Sequence, residues 1–485
     1  MARKTEVLII GAGILGCFAA RALSRYKLDI SVIEKEADVC TGISKANTGI
    51  IYQGYDQHHG SLKAELCKRA SASFSALCAE LDVAYKRTGL LMLSFGPNAD
   101  KVLEKKIRNA ESGAIPNVHL IGPQEIYSFE PSLRDGVTHA LYAEDTYVVN
   151  PWDLGIAAFE NAKANGTSFY LNEEVINIRK ESDSFLIETN KQTFLAKRVL
   201  CCGGLKADML WEMVCRPMIR LIPQAADYLV FDTYCGNLIH HVLSVEPEEK
   251  GDGITIVPTA DGNLLLGPTR RDIIGEFDGS TALKGLSELK KKGKWLLPDL
   301  PLEQVIRSFA AARPNPFTLD KNGEITDKSL KDFVILEEDG FFDLIGVKTP
   351  GITCANELGL HLADKIIRSF ERTPELKTDF VPTRKAIPKT SELLNKNPEA
   401  LSLLSPEYLE IICRCKNVSK GEILEAIKRG AFTVDGIKRR TGAGMGRCQG
   451  GYCMEKILKL LSENLDTDIY QITKDGIGSE ILKKP

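Results

Sequence analysis

Four cysteines near the end of this sequence have a spacing that chemistry can use. Cys413 and Cys415 form a C-x-C pair; after 32 intervening residues, Cys448 and Cys453 form a C-x4-C pair. Four thiolates from two loops can close around one metal centre. The run Thr441-Gly442-Ala443-Gly444-Met445-Gly446-Arg447 precedes the third cysteine, and its glycines leave backbone N–H groups free to point at sulfur. A second constellation lies at the other end of the chain. Gly11-Ala12-Gly13-Ile14-Leu15-Gly16 is G-x-G-x-x-G, and Glu34 stands at the end of the next apolar run. Gly11 permits a tight turn, Gly13 lets a pyrophosphate approach the backbone, and Gly16 lets helix and strand pack closely. Glu34 can accept a hydrogen bond from a ribose hydroxyl.

These residues need particular elements to position them. Glu6 to Ile10 reads as a buried strand of a parallel sheet, and Ile30 to Ile33 as a second. Cys17 to Arg25 between them reads as a helix, with Ala19, Ala20 and Ala22 on it. The glycine turn therefore sits in a strand–turn–helix–strand setting, which gives the motif its weight as a dinucleotide site. The motif alone does not separate NAD from FAD. Three further segments could approach such a ligand closely: Thr41 to Gly54, the strand end Val199 to Gly204, and Gly346 to Thr353 leading into a helix from Glu357 to Ile367.

The C-terminal cysteines have their own scaffold. Ser419-Lys420-Gly421-Glu422 is a capping-box pattern opening a helix to Arg429. Thr433 caps a second short helix through Arg440, and a third runs from Met454 to Leu461. Before this unit, Pro374, Pro382 and Pro388 mark 373–405 as a linker. Sites of four cysteines also hold structural zinc, so zinc stands as the alternative metal. Between residues 413 and 453 the basic side chains are Arg414, Lys416, Lys420, Lys428, Arg429, Lys438, Arg439, Arg440 and Arg447. The acids are Glu422, Glu425 and Asp435, so the local balance is 9 − 3 = +6. A single-sign patch steers acidic partners, although a solvated basic face accounts for it equally.

The whole chain frames these motifs. It has 485 residues, with 62 Lys plus Arg against 65 Asp plus Glu, a net charge of −3. Near-neutrality argues against wholesale nucleic-acid binding. No apolar run reaches the roughly 18 residues of a membrane span. Val7 to Ile10 is too short for the core of a secretory signal, about 7 residues at least. A cytoplasmic location is expected, with any membrane association coming through a partner. The thirteen cysteines are then thiols or metal ligands rather than disulfides.

Several segments together resemble the D-amino-acid-oxidase-like superfamily of FAD enzymes over about residues 5 to 370. Ser44-Lys45-Ala46-Asn47-Thr48-Gly49-Ile50-Ile51 followed by Gly60 to Cys67 is similar to the flavin loop and helix of two branches, the anaerobic glycerol-3-phosphate dehydrogenases and the L-2-hydroxyglutarate dehydrogenases. Gly262 to Thr269 and Phe309 to Pro314 are similar to both. The resemblance implies an α/β fold, with a Rossmann-like FAD-binding domain (1–90, 145–215, 330–372) interleaved with an α+β antiparallel-sheet substrate domain (91–144, 216–329). It implies FAD contacts from Gly11, Gly13, Gly16, Glu34, Ser44, Asn47, the backbone of Val175, and Gly351-Ile352-Thr353. Residues 410–465 resemble the [2Fe–2S] domain of bacterioferritin-associated ferredoxin, which implies a small helical domain (406–465) whose Cys413, Cys415, Cys448 and Cys453 hold the cluster. The tail 466–485 resembles the ends of such subunits and is expected to pack back on the FAD domain.

Three side chains are the substrate candidates. Arg313, in Ala311-Ala312-Arg313-Pro314, has the planar fork that binds a carboxylate or phosphate at two points; the resemblance puts it beside the flavin. Lys348 lies in the turn at the flavin's pyrimidine end by the same resemblance, where a cation stabilises the reduced, anionic ring. Tyr52 occupies the position of a histidine in the L-2-hydroxyglutarate branch, and its ordinary pKa of about 10 makes it a poor base. Arg270 and Arg271 are weaker candidates. Together these readings describe an FAD-dependent dehydrogenase. It oxidises a small anionic hydroxy compound (glycerol 3-phosphate or a 2-hydroxy acid) by hydride transfer and relays electrons through the cluster to a partner flavoprotein or iron–sulfur subunit. An amine or imino-acid dehydrogenase, consistent with Tyr52, and a non-enzymatic redox protein are the rivals.

Overall fold

The strand Arg3–Ile10 shows why its apolar run is continuous rather than alternating. Val7 and Ile9 face one hydrophobic core while Leu8 and Ile10 face another, so both faces are buried, as in a parallel sheet covered on each side. The computed structural model describes residues 2–245, 253–273 and 277–484. It sets this strand inside an eight-stranded sheet ordered Val175–Glu181, Ser184–Thr189, Thr193–Cys201, Arg3–Ile10, Ile30–Ile33 and Ser168–Tyr170. Phe341–Ile345 joins the end of Thr193–Cys201, and Val334–Glu338 pairs with Phe341–Ile345. The strands around Arg3–Ile10 are parallel, while the Val175–Glu181 and Ser184–Thr189 hairpin is antiparallel.

Three helices, Ile14–Leu23, Pro151–Ala164 and Ala355–Arg368, cover one face. A Cβ on Gly359 would lie 2.7 Å from the Phe18 carbonyl carbon, so the first and last of these meet backbone to backbone. The first helix begins three residues earlier than its sequence pattern suggests, because Gly13 itself is the N-cap.

A ten-stranded sheet lies beside it, ordered Ile325–Ser329, Val305–Leu319, Ile219–Phe231, Leu264–Gly267, Ile254–Pro258, Val242–Val245, Leu90–Ser94, His139–Ala143 and Val118–Ile121, with Arg271–Asp272 on Ile219–Phe231. Its two longest strands pair antiparallel almost throughout and set Arg313 opposite Gln224. The sheet is antiparallel except where Val242–Val245 meets Leu90–Ser94.

Residues 373–405 are held to the flank of the first body. Arg384 reaches Glu160 at 2.7 Å, and the Asn161 amide donates to the carbonyls of Val381 and Thr383. The C-terminal unit follows, with helices Lys420–Lys428, Val434–Thr441 and Met454–Leu465 around Ile412, Val418, Ile423, Ile437 and Leu461. Ser419 and Glu422 form the capping box reciprocally. Ile472 of the tail is buried in this core. Among the described residues no helix is long and apolar enough to cross a membrane.

Candidate functional site

The glycine turn is built as its spacing requires. Gly11 adopts φ +99°, and a Cβ there would lie 2.5 Å from the Cys202 carbonyl oxygen; a Cβ on Gly16 would meet the Gly11 carbonyl oxygen at 2.0 Å. Neither position admits a side chain. The Ile14–Leu23 helix starts at Gly13, which has no side chain to cap it, and has no acid in its first turn. Its positive dipole end therefore favours an anion. The Ser44 hydroxyl accepts from the Ile14 amide at 2.9 Å, bringing the second loop to this helix end. Glu34 accepts from the amides of Ala12 (2.7 Å) and Glu36 (3.0 Å). Burial pushes its carboxyl up despite these bonds, and the carboxyl retains lone pairs for a ribose hydroxyl. Val175 lies on this same side: Glu173, two residues before it, donates its amide to the Glu34 carbonyl at 2.8 Å. Asn47 uses its side chain within its own loop, donating to the Ser44 carbonyl and accepting from the Gly49 amide. These features fit a dinucleotide with its pyrophosphate on the helix N-terminus.

Tyr52, Arg313, Lys348 and the Gly351–Thr353 turn come together at the seam between the two large sheets. The Tyr52 amide donates to the Thr353 hydroxyl at 3.1 Å, and Lys348 donates to Asn315, two residues from Arg313, at 2.8 Å. Tyr52 packs against the cores of both bodies. Burial, then the charges of Asp56 and Tyr228, push its phenol well above its ordinary value, while Arg313 and a hydrogen bond with Thr48 oppose this. The Tyr52 phenol therefore stays protonated at neutral pH. Tyr228 was not singled out by its sequence, yet it belongs here. Its ring stacks on Phe309 at 4.7 Å, and its hydroxyl hydrogen-bonds Arg313; burial still raises its pKa.

Lys348 is pulled below the usual lysine range by burial, then by the like charges of Lys63, Arg313, Arg270 and Lys331. Several cations thus converge on one place. Lys63 is the other residue the sequence did not mark. It is buried, donates to the Lys331 carbonyl, and sits 5.1 Å from the centre of the Phe333 ring. Asp332 accepts from the Leu62 and Lys63 amides and so fixes the start of the Leu62–Leu81 helix. Arg271 instead turns to the Ser280 carbonyl and buried Asp227. His58 and His59 are exposed, and His241 is held by buried Glu130 at 2.8 Å.

The four C-terminal thiols meet as two pairs. Cys413 contacts Cys453, both buried, while Cys415 and Cys448 are exposed with their sulfurs 3.5 Å apart. A tetrahedral metal with bonds of about 2.3 Å to sulfur sets its sulfurs roughly 3.8 Å apart, close to this separation. Backbone amides of Gly444, Lys416 and Cys415 point at the Cys413 sulfur; with the Cys453 thiol as the largest influence, they pull Cys413 down to about 6. The amides of Tyr452 and Gly450 act likewise on Cys448. Among the described residues no three such ligands gather closely enough to hold a metal ion, so the thiols stand as two pairs, in each of which a facing thiol and amides favour one thiolate.

The turn suits a dinucleotide, and the two thiol pairs supply the residue types of a metal–sulfur module. The chain belongs to the FAD dependent oxidoreductase family, whose model matches residues 6–365, and residues 411–463 match the BFD-like [2Fe-2S] binding domain. FAD and a [2Fe–2S] cluster are its cofactors. The chain is 36% identical to a glycerol 3-phosphate dehydrogenase of Caloramator mitchellensis, over 99% of this chain and 98% of that one. It is 27% identical to the glycerol 3-phosphate oxidase of Mycoplasma pneumoniae, over 72% of this chain and 91% of that one. The solved FAD-bound L-alpha-glycerophosphate oxidase of the same organism has the same fold, with TM-score 0.71 at 24% identity, covering 79% of this chain and 98% of that one.

Proposed function

We propose that this chain oxidises glycerol 3-phosphate at its flavin and passes the electrons through its [2Fe–2S] cluster to a partner subunit. The observation that carries the substrate is the group of cations around Lys348: Lys63, Arg313, Arg270 and Lys331 all act on it, and no acid is among its largest influences. A phosphate dianion neutralises such a group better than a single carboxylate does. The glycerol 3-phosphate dehydrogenase similarity over nearly the whole chain supports the same substrate.

Bound FAD supplies the hydride acceptor, and the cluster supplies a one-electron outlet. The chain's own residues then have separable roles. Arg313 forks onto the phosphate, with Tyr228 holding its guanidinium in place. Lys348 adds charge to the anion site and, with FAD bound, would favour its reduced, anionic form. Tyr52, kept protonated, accepts a hydrogen bond from the substrate hydroxyl and orients the carbon to be oxidised; the hydroxyl proton is released to solvent. A partner docks against the exposed Cys415 and Cys448 thiols, beside which stand Arg414, Arg447 and Lys456. The reading places the chain in the cytoplasm, with membrane association through that partner.

Anaerobic titration of the purified holoprotein tests the substrate. Glycerol 3-phosphate should bleach the flavin absorbance, and L-2-hydroxyglutarate and L-proline should do so far more slowly. Bleaching by L-proline with none by glycerol 3-phosphate would sink the reading. Bleaching by L-2-hydroxyglutarate alone would move it to the 2-hydroxy acids, a class that L-2-hydroxyglutarate dehydrogenase of Homo sapiens, 25% identical over 76% of this chain, keeps in view.

A further inference from the structure

The segment from Glu34 to Gly49 is short of regular structure: one 3-10 turn, Ile43–Lys45, is its only helix. It nevertheless supplies Glu34, Ser44 and Asn47 to the dinucleotide site, so something must hold it. Its own contacts with the glycine turn include the Cys40 amide on the Ala12 carbonyl (2.9 Å) and the Ile14 amide on Ser44. Two further anchors come from the far end of the chain.

The first anchor is Asp38. Arg440 grips it through two bonds, 2.7 and 2.8 Å, and Arg439 adds a third at 3.0 Å. All three side chains are at most 4% exposed. The second anchor is Lys45, next to Ser44, which reaches Asp475 of the C-terminal tail at 2.9 Å. Arg439 joins the anchors, since its other nitrogen bonds Asp475 at 2.7 Å. The order is thus Lys45, Asp475, Arg439, Asp38, Arg440, with charges alternating throughout. Backbones close in beside it: a Cβ on Gly476 would touch Ala37 at 3.7 Å. Arg439 and Arg440 lie on the Val434–Thr441 helix, whose other end packs into the core that carries the cluster thiols.

We propose that Arg439, Arg440 and Asp475 are positioning residues for FAD: they clamp the flavin-binding segment at Asp38 and Lys45, so the iron–sulfur module sets flavin affinity as well as conducting electrons. Breaking one member of a buried charge pair strands its partner, and the segment then pays ordering entropy each time FAD binds. The coupling is reciprocal, so bound FAD also steadies the module. The inference depends on the FAD and [2Fe–2S] assignments and is independent of the substrate.

The test uses the full-length holoprotein and measures FAD release by the rise of free-flavin fluorescence, with iron per chain and melting temperature read on the same samples. Asp475→Asn and Arg440→Gln should each release FAD about tenfold faster while iron content stays at the wild-type level. Asp475→Glu should restore most of the wild-type rate. Unchanged release in Asp475→Asn would overturn the proposal, as would release that rises only in step with iron loss, since that pattern describes general unfolding. If Arg440→Gln fails to fold, Asp475→Asn decides alone, because Asp475 and Lys45 are 28% and 36% exposed and tolerate the change.

Discussion

The two parts of this molecule treat their cysteines differently. In the flavin body, burial pushes the thiols of Cys17, Cys201 and Cys202 up, and those of Cys78 and Cys215 up to about 12, while the Cys67 thiol and then burial push up Cys354. They act as small apolar packing groups. In the C-terminal module the thiols split within each pair: the Cys453 thiol, then backbone amides, pull Cys413 down to about 6 while Cys453 itself is pushed up, and Cys448 is lowered while Cys415 is raised. Burial alone does not explain the contrast, since Cys413 is itself buried. The difference lies in the backbone. Glycine-rich loops turn their amides toward sulfur in the module, whereas helix and strand amides in the flavin body are already committed to one another.

The largest expected effect breaks this contrast directly. Cys448→Ser or Cys453→Ser should abolish [2Fe–2S] absorbance, and Cys78→Ser should leave iron per chain unchanged; metal analysis and a visible spectrum check both. Next comes Arg313→Ala, which should lower kcat/KM for glycerol 3-phosphate about 100-fold, in keeping with roughly 1.5–3 kcal/mol for a charged hydrogen bond. Steady-state kinetics with an artificial acceptor measure it, and the cluster spectrum should not move. A third prediction concerns pH. Burial and neighbouring cations lower the Lys348 ammonium below the usual lysine range, so its positive charge is present at low pH and lost as pH rises through the depressed value. KM for glycerol 3-phosphate should therefore increase with pH on that limb. In Lys348→Arg, which stays charged, the increase should vanish. Tyr52→Phe should lower kcat about tenfold, the worth of one hydrogen bond, without shifting the profile between pH 6 and 9, because the phenol stays protonated throughout. The smallest effect is Ser419→Ala, a lost helix cap worth about 1 kcal/mol. It should lower the module's melting temperature and leave FAD binding almost untouched.

Both cofactor sites were legible in the sequence because local backbone geometry dictates their spacing. The G-x-G-x-x-G turn fails sterically if Gly11 or Gly16 gains a side chain, and the thiol loops need their glycines to aim amides. Arg313, Lys348 and Tyr52 were legible through resemblance, and the structure gathers them at one seam. Tyr228 and Lys63 were not legible. Tyr228 looks like any strand aromatic, and only the long pairing of Ile219–Phe231 with Val305–Leu319 carries it to Arg313. Lys63 sits on an apparently ordinary amphipathic helix, and its burial depends on Phe333 and Lys331 from a distant segment. The Asp38 clamp was hidden for the same reason: its charges lie on opposite ends of the chain, and composition shows only a basic stretch.

Asp38 and Arg440 are separated by 402 residues, which has a consequence in time. At about 5–20 residues per second, ribosomes need roughly 20–80 s to travel from one to the other. Over that interval the nascent flavin domain, its glycine turn already made, acquires its later strands but lacks its clamp. Secure flavin capture therefore belongs to the finished chain, and a truncated product would emerge with a loosely held site rather than a working one.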